Sequence, residues 1–346
     1  MCIRDRTDNS HPAMTVALDA CIQCGLCIRA CRDVQVNDVL GMSGRGANSY
    51  PVFDTNASMG ESSCVGCGEC VQACPTGALI ETSLVNDDNN QTVYPDQKIK
   101  SLCPFCGVGC QTLVSVKDNS IMAIDGYEGP ANENRLCIKG RFGYDYISSP
   151  VRLKEPLIRI TQKTKSWDLS IDEKNIYKYF RKASWDEALD QASQNFSKIL
   201  KNNENALAGF GSAKGSNEEA YLFQKLIRTG FQTNNVDHCT RLCHASSVAA
   251  LLQSVGSAAV TAPFTAVKDT ECIILIGARP EQNHPVAASY FKQAVKNGSK
   301  LIIMDPRRQN LSRYATHHLQ FNPGQDLALL NACLLYTSPS PRDLST

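Results

Sequence analysis

An α+β chain of several domains is predicted, with cysteine-rich modules first and a doubly wound α/β sheet after them. Three observations predict it. Two runs of four cysteines fall at residues 21–31 and 64–74, with little continuous apolar sequence around them. A third group, three close cysteines and one distant, falls at residues 103–137. From about residue 183 the texture changes to short apolar strands alternating with amphipathic helices, the pattern of βαβ units.

The 346 residues leave room for two or three compact units. Lys and Arg total 35 against 34 Asp and Glu, which gives no reason to expect a nucleic acid or an anionic membrane as partner. No apolar run reaches the roughly 18–20 residues of a membrane-spanning helix, and no secretory signal is read at the start, so a soluble protein is expected. Disulfide scaffolds are short secreted chains, so the 17 cysteines, clustered as they are, point to metal.

Both ends look foreign. "MCIRD" can be encoded so that its reverse complement reads "CLLYT", the sequence at 333–337. Inverted ends of this kind resemble sequencing-adaptor read-through, so Met1–Arg6 and Cys333–Thr346 are set aside and the remainder is expected to be a fragment.

Element by element, residues 11–82 form the first cysteine module, in which Arg32–Ser63 reads as an inserted loop. The polar stretch 83–98, rich in Asn and Asp, reads as a linker, and 99–155 as a second module. "SWDE" at Ser184–Glu187 is a capping-box pattern opening a helix through Leu200. "ALAGF" (206–210) is expected as a short buried strand, followed by a helix from about Glu218 to Thr229. "CIILIG" (272–277) and "LIIMD" (301–305) read as parallel strands buried on both faces, with a helix over Pro285–Lys296 between them. Residues 156–332 are thus expected as one doubly wound α/β domain.

The first run, "CIQCGLCIRAC", places Cys21, Cys24, Cys27 and Cys31 in the spacing C-x2-C-x2-C-x3-C. The second, "CVGCGECVQACP", repeats it with Cys64, Cys67, Cys70 and Cys74 and adds Pro75. This is the bacterial ferredoxin pattern for two [4Fe–4S] clusters, in which the fourth cysteine of each run serves the other cluster. The implied ligand sets are Cys21, Cys24, Cys27 with Cys74, and Cys64, Cys67, Cys70 with Cys31. Zinc competes poorly, because its sites use paired CxxC and four cysteines in eleven residues exceed that need. The third group, Cys103, Cys106 and Cys110 of "CPFCGVGC" with Cys137 of "RLCIKGR", again suits a cubane cluster.

That third spacing, followed by Lys139 and Gly140, resembles the N-terminal cluster domain of the molybdopterin oxidoreductases. The resemblance implies that Lys139 lies between cluster and pterin and helps electrons cross. "HCTRLCHASS" (238–247) is similar to the active-site region of molybdenum- or tungsten-dependent formate dehydrogenases, where a selenocysteine or cysteine followed by histidine occupies the position of Cys243–His244. A thiolate suits a soft, high-valent metal, and an imidazole can take up a proton and orient a small anion. Cys239 and Cys272 receive no catalytic role and are expected to be buried thiols. The loops "IGARPEQNHP" and "DPRRQN" follow the two apolar strands. By resemblance their Gly277, Asn283, Asp305 and Arg307 contact one guanine dinucleotide arm of the pterin, and "GSAKGSNE" matches a further cofactor loop with Lys214 and Asn217 as its contacts.

The resemblance covers roughly 11–332 and implies the catalytic alpha subunit of a formate dehydrogenase, oxidising formate to CO2. Its cofactors would be a molybdenum (or tungsten) bis-molybdopterin guanine dinucleotide centre and three [4Fe–4S] clusters. It implies a cytoplasmic enzyme with a flavin-containing, NADH-oxidising iron–sulfur subunit, or another electron acceptor, as partner. The family's formate-fixing arginine and the domains for the second pterin arm have no match here, so this chain alone is expected not to be fully active. Two alternatives stay open: an electron-transfer subunit resembling the large iron–sulfur subunit of NADH dehydrogenase, and another molybdopterin reductase, such as one for nitrate.

Overall fold

The computed structural model describes residues 7–86, 90–91, 93–160, 170–203 and 205–337. Met1–Arg6 and the stretch 338–346, which make up most of the ends read as foreign, lie outside the described residues, as does part of the expected linker. The chain divides into two compact units, one of residues up to 144 together with those from 262 onward, the other of residues 145–261. The stretch expected as one α/β domain therefore contributes to both.

In the first unit, β1 (Thr7–Asp8) and β2 (Met14–Ala17) pair antiparallel. The first cysteine run then folds into α1 (Leu26–Arg29), which continues as a wider π-type turn over Ala30–Val34. The expected insert carries an antiparallel hairpin, β3 (Leu40–Ser43) with β4 (Tyr50–Phe53). The second run folds into α2 (Glu69–Ala73), and β5 (Leu79–Glu81) returns to pair with β2. Gly25 and Gly68 precede the two short helices with the same left-handed φ of +71°, so the two runs repeat one local shape. Met14, Val16, Phe53, Met59 and Leu79 pack with Cys31 and Cys70 into one apolar cluster.

β6 (Gln97–Leu102), β7 (Gln111–Lys117) and β8 (Ser120–Gly126) form an antiparallel meander. The last turn is Asp118–Asn119, both residues at positive φ (+48° and +58°), the two-residue hairpin loop that matches strand twist. Then α3 (Ile138–Phe142) opens directly after Cys137.

The second unit begins with the antiparallel pair β9 (Leu157–Arg159) and β10 (Phe180–Lys182). α4 (Trp185–Asn202) starts where the sequence indicates, the Ser184 hydroxyl accepting the Glu187 N–H at 3.1 Å. β11 (Gly209–Gly211), α5 (Asn217–Lys225) and β12 (Val236–His238) make a βαβ unit with parallel strands. The buried strand expected over 206–210 is corrected here: β11 starts later, and Phe210 is 80% exposed. Gly209 lies under α5 and the π-type turn that continues it (Leu226–Gly230), where a Cβ would meet Ile227 at 2.5 Å and Phe223 at 2.9 Å, so a glycine allows that close approach. α6 (Thr240–Cys243) and α7 (Ala245–Val255) follow β12.

The first unit resumes with β13 (Cys272–Ile276), α8 (Pro280–Asn283), α9 (Pro285–Lys296), β14 (Lys300–Met304) and β15 (His317–Leu319). β13, β14 and β15 form a parallel sheet in that order, and α9 has the bounds its sequence indicates, with Pro285 at its first position. Burial on both faces holds for β14, where Leu301 and Ile303 on one side and Met304 on the other are buried and Ile302 is half-buried, but it is corrected for β13: Ile273 is 7% exposed, Ile274 is 56% exposed, and Cys272 faces outward. The side chains alternate because α9 covers one face, where Ile273, Ala294, Leu301 and Ile303 pack together. α10 (Asp326–Thr337) ends the described chain with no buried residue, so Cys333–Thr337 of the supposed foreign end are the exposed last turn of a helix.

Ile273→Ala should destabilise the chain by about 2–5 kcal/mol in denaturant unfolding. Ile274→Ala should cost under about 1 kcal/mol, and equal costs would contradict one-sided burial. A second expectation concerns Glu81, which is 3% exposed and whose Oε2 has no partner among the described residues. Burial pushes its carboxyl up to about 8, although Arg141 pulls the other way. The folded chain then keeps a proton that the unfolded chain releases above the ordinary 4.5, so stability falls as pH rises from about 4.5 to 8. Glu81→Gln should flatten that slope and stabilise the chain at pH 8 by at most about 5 kcal/mol; an unaltered slope would contradict the assignment.

Candidate metal and cofactor sites

Twelve cysteines surround three cavities of the first unit. Cys21, Cys24, Cys27 and Cys74 line one, Cys31, Cys64, Cys67 and Cys70 the second, and Cys103, Cys106, Cys110 and Cys137 the third. The structure therefore gathers the residues in the exchanged sets read from the sequence, each run sending its last cysteine to the other cavity. The three cavities are small and similar in size, which suits one kind of occupant. All twelve are free thiols. Among the described residues no three His, Cys, Asp or Glu side chains converge closely enough for a single metal ion. Four thiols lining one cavity, three of them close in sequence, fit a multi-iron cluster.

Electrostatics agrees. Burial pushes the Cys27 thiol up to about 11 and the Cys67 and Cys110 thiols up to about 12. Neighbouring thiols add to the rise, Cys74 at Cys27 and Cys103 at Cys110. Four buried thiolates repel one another unless a cationic centre lies between them, so such a cage is a metal-dependent structure. Backbone N–H groups already point at sulfur: Gln23 at Cys21 Sγ and Gly66 at Cys64 Sγ, each at 3.4 Å.

A buried arginine joins the second and third cages. Arg141 of α3 is fully buried and donates to Glu69 Oε1 (3.0 Å), Gln72 Oε1 (2.8 Å), Asp125 Oδ1 (3.1 Å) and the Cys67 carbonyl (2.9 Å). Glu69 Oε1 also accepts the Leu136 N–H at 2.8 Å, and Gln35 Nε2 donates to the Leu136 carbonyl at 3.1 Å. Leu136 precedes the third-cage ligand Cys137, and Glu69 precedes the second-cage ligand Cys70. Sequence reasoning missed this clamp. Its only trace was an arginine two residues after Lys139.

Lys139 and Asn283 both line the third cavity, so a residue read as a dinucleotide contact stands beside the cluster cage. The other loop residues sit at the carboxyl ends of β13 and β14. Gly277 has φ +57° with open space where a Cβ would be, and its N–H donates to Met304 O at 3.0 Å. Asp305 is buried and accepts the Arg307 N–H at 2.8 Å, while the Arg307 side chain is exposed. Gln309, unnoticed in the sequence, ties the two loops by donating to Ala278 O (3.1 Å) and Asp305 Oδ2 (3.4 Å). Gln309 Oε1, Arg279 Nε and both Glu281 carboxylate oxygens are buried there without a partner among the described residues. Orphaned donors and acceptors beside an open glycine are what a polar ligand such as a dinucleotide would satisfy, so the loops fit one.

In the second unit, Lys214 and Asn217 follow β11, and Cys243 and His244 follow β12, all at the carboxyl ends of a parallel strand pair. Cys243 ends α6, His244 caps α7, both are exposed, and Cys243 Sγ lies 2.7 Å from His244 Nδ1. Cys239, expected to be buried, is exposed instead, because it caps α6 in the polar turn after β12, where its Sγ accepts the Ala213 N–H at 3.4 Å. Cys272 is likewise exposed, as the outward first residue of β13. His238, which sequence reasoning passed over, lines a cavity of about 530 Å³ with Arg228 and Asp237.

Comparison with known proteins matches residues 20–78 to a 4Fe-4S dicluster domain, 96–149 to the molybdopterin oxidoreductase Fe4S4 domain and 152–338 to molybdopterin oxidoreductase. A Bacillus subtilis protein provisionally named an oxidoreductase is 32% identical over 367 residues, covering 95% of this chain and 36% of that protein. A Staphylococcus haemolyticus protein provisionally named a formate dehydrogenase is 32% identical over 357 residues, 92% of this chain and 35% of its own length. The chain thus spans about a third of the relatives it matches. The solved acetylene hydratase of Pelobacter acetylenicus shares the fold, with a TM-score of 0.56 at 21% identity over 70% of this chain and 32% of that one. Among the described residues no helix is long and apolar enough to cross a membrane. Two iron–sulfur modules followed by a mixed α/β region matched over more than half the chain establish that this protein belongs to the molybdopterin oxidoreductase family, built with Fe4S4 domains.

Proposed function

We propose that the chain is part of the catalytic subunit of a cytoplasmic formate dehydrogenase, oxidising formate to CO2. The observation that carries this reading is the Cys243–His244 pair, sulfur 2.7 Å from imidazole nitrogen, on the loop after a parallel strand. Relatives provisionally named formate dehydrogenases support it.

A molybdenum (or tungsten) bis-molybdopterin guanine dinucleotide centre, when bound, supplies the two-electron acceptor for formate. In this reading Cys243 Sγ is the protein's thiolate ligand to that metal. His244 Nδ1 holds a proton beside it and orients the substrate anion. Gly277, Asn283, Asp305 and Arg307 would hold one dinucleotide arm, and Lys214 and Asn217 would make further cofactor contacts from their own loop. Lys139 stands at the third cage to help electrons reach it. The three cysteine cages would each hold a [4Fe–4S] cluster supplying a one-electron carrier, in the order third, second, first. The order follows from the clamp of Glu69, Gln35 and Arg141 between third and second cages, and from the exchange of Cys31 and Cys74 between second and first. The first cage is the exit, since Cys24 is exposed and Ile22 and Met42 beside it are 63% and 45% exposed. A flavin and iron–sulfur subunit that exchanges electrons with NADH, or another acceptor protein, would dock there.

In the full-length protein that carries this sequence, Cys243→Ser should leave the iron content unchanged and lower formate-dependent dye reduction by at least about 100-fold, more than loss of a partner that only supports a ligand costs. Undiminished turnover would remove Cys243 from the metal's inner shell.

A further inference from the structure

The second cage receives something from the α/β sheet that no ligand pattern indicates. One face of α9 is hydrogen-bonded to the chain that follows Cys31. Gln293 Nε2 donates to the carbonyls of Asp33 (2.8 Å) and Val34 (3.0 Å). Lys296 Nζ lies 2.8 Å from Asp33 Oδ1. Between these and the cage, Lys292 Nζ donates to Asn37 Oδ1 at 2.8 Å, and Asn37 lines the cavity of Cys31, Cys64, Cys67 and Cys70.

Lys292 differs from its neighbour in burial. It is 9% exposed, whereas the Lys296 side chain is 44% exposed and paired to a carboxylate. Among the described residues Lys292 makes no ion pair; its hydrogen-bond partner is a neutral amide, and the Tyr314 ring lies 5.9 Å away. A buried ammonium without a carboxylate is costly, so it persists where negative charge faces it from elsewhere. The groups that act on it are the thiols of Cys67 and Cys31 and the Asp38 carboxylate, opposed by Arg313. Burial lowers its pKa, against the pull of those thiols and that carboxylate.

We propose that Lys292 is the charge that sets the reduction potential of the cluster held by Cys31, Cys64, Cys67 and Cys70, which rests on the reading of that cage as a [4Fe–4S] site. Four thiolates give such a cluster net negative charge, and reduction adds one more. A fixed buried cation favours the reduced form, so the potential of the middle cluster of the relay is raised relative to the same cage without it. The electron comes from the preceding cluster and leaves to the next; Lys292 exchanges none. It is a positioning residue for charge, not a catalytic residue.

The test is a potentiometric titration followed by EPR on the iron-loaded full chain, with the middle cluster's signal identified by its loss in Cys64→Ser. Lys292→Met should keep the iron content and lower that cluster's reduced-to-oxidised ratio about tenfold at fixed potential, a shift of about 59 mV for one electron, with the other two signals unmoved. Lys292→Arg should restore the wild-type midpoint. Lys292→Gln, which can still donate to Asn37 Oδ1, covers the case in which the methionine variant loses iron. An unmoved midpoint in either neutral variant with iron retained would overturn the proposal and leave a structural clasp. Loss of the cluster in both, with Lys292→Arg keeping it, would overturn it in favour of a role in assembly. Wild-type chain with no signal removable by Cys64→Ser would instead defeat the cluster reading.

Discussion

The buried guanidinium of Arg141 is the interaction on which the cysteine-rich half depends. Its donors reach the helix of the second cysteine run, the carbonyl of that run's ligand Cys67 and an acid on the meander of the third module. Removing water from such a cation is costly, and Glu69 and Asp125 offset that cost only in this arrangement. Gly68 shows how close the approach is: a Cβ there would lie 2.2 Å from Arg141 Cδ. A pair of modules joined by a buried polar network has one good registration, because any slip leaves a charge unpaired in the interior.

The parts of this site written in the sequence are those where chemistry dictates spacing. A cubane's corners require three thiolates within a few residues, so Cys21, Cys24 and Cys27, or Cys64, Cys67 and Cys70, are visible as text, and the structure sets each trio around its own cavity with the other run's fourth cysteine. The helix over Pro285–Lys296 was equally legible, since proline opens it and Asn297–Gly298 closes it. Ser184 was legible as a cap for the same local reason.

What failed was everything decided by distant packing. Apolar letters at Phe210, Ile274 and Cys272 suggested burial, but a strand has two faces and only the face under a helix is covered. Cys239 was taken for a core thiol because a sequence does not show that a turn ends in the open. Arg141, Gln309 and Lys292 read as ordinary polar residues because their partners lie far away in sequence; Lys292 meets Asn37 across 255 positions. The loops after β13 and β14 were legible as positions after strands, while the place of Asn283 in the lining of the third cavity was not.

The claim beneath all of this is that three cages of cysteine thiols each hold iron. Diffraction from crystals of the iron-loaded chain, with data collected on either side of the iron absorption edge, tests it most directly. The account predicts three anomalous iron centres, one within each tetrad, with Cys74 at the first and Cys31 at the second. A tetrad without iron, a single ion in place of a cluster, or Cys31 and Cys74 bound within their own runs would contradict it.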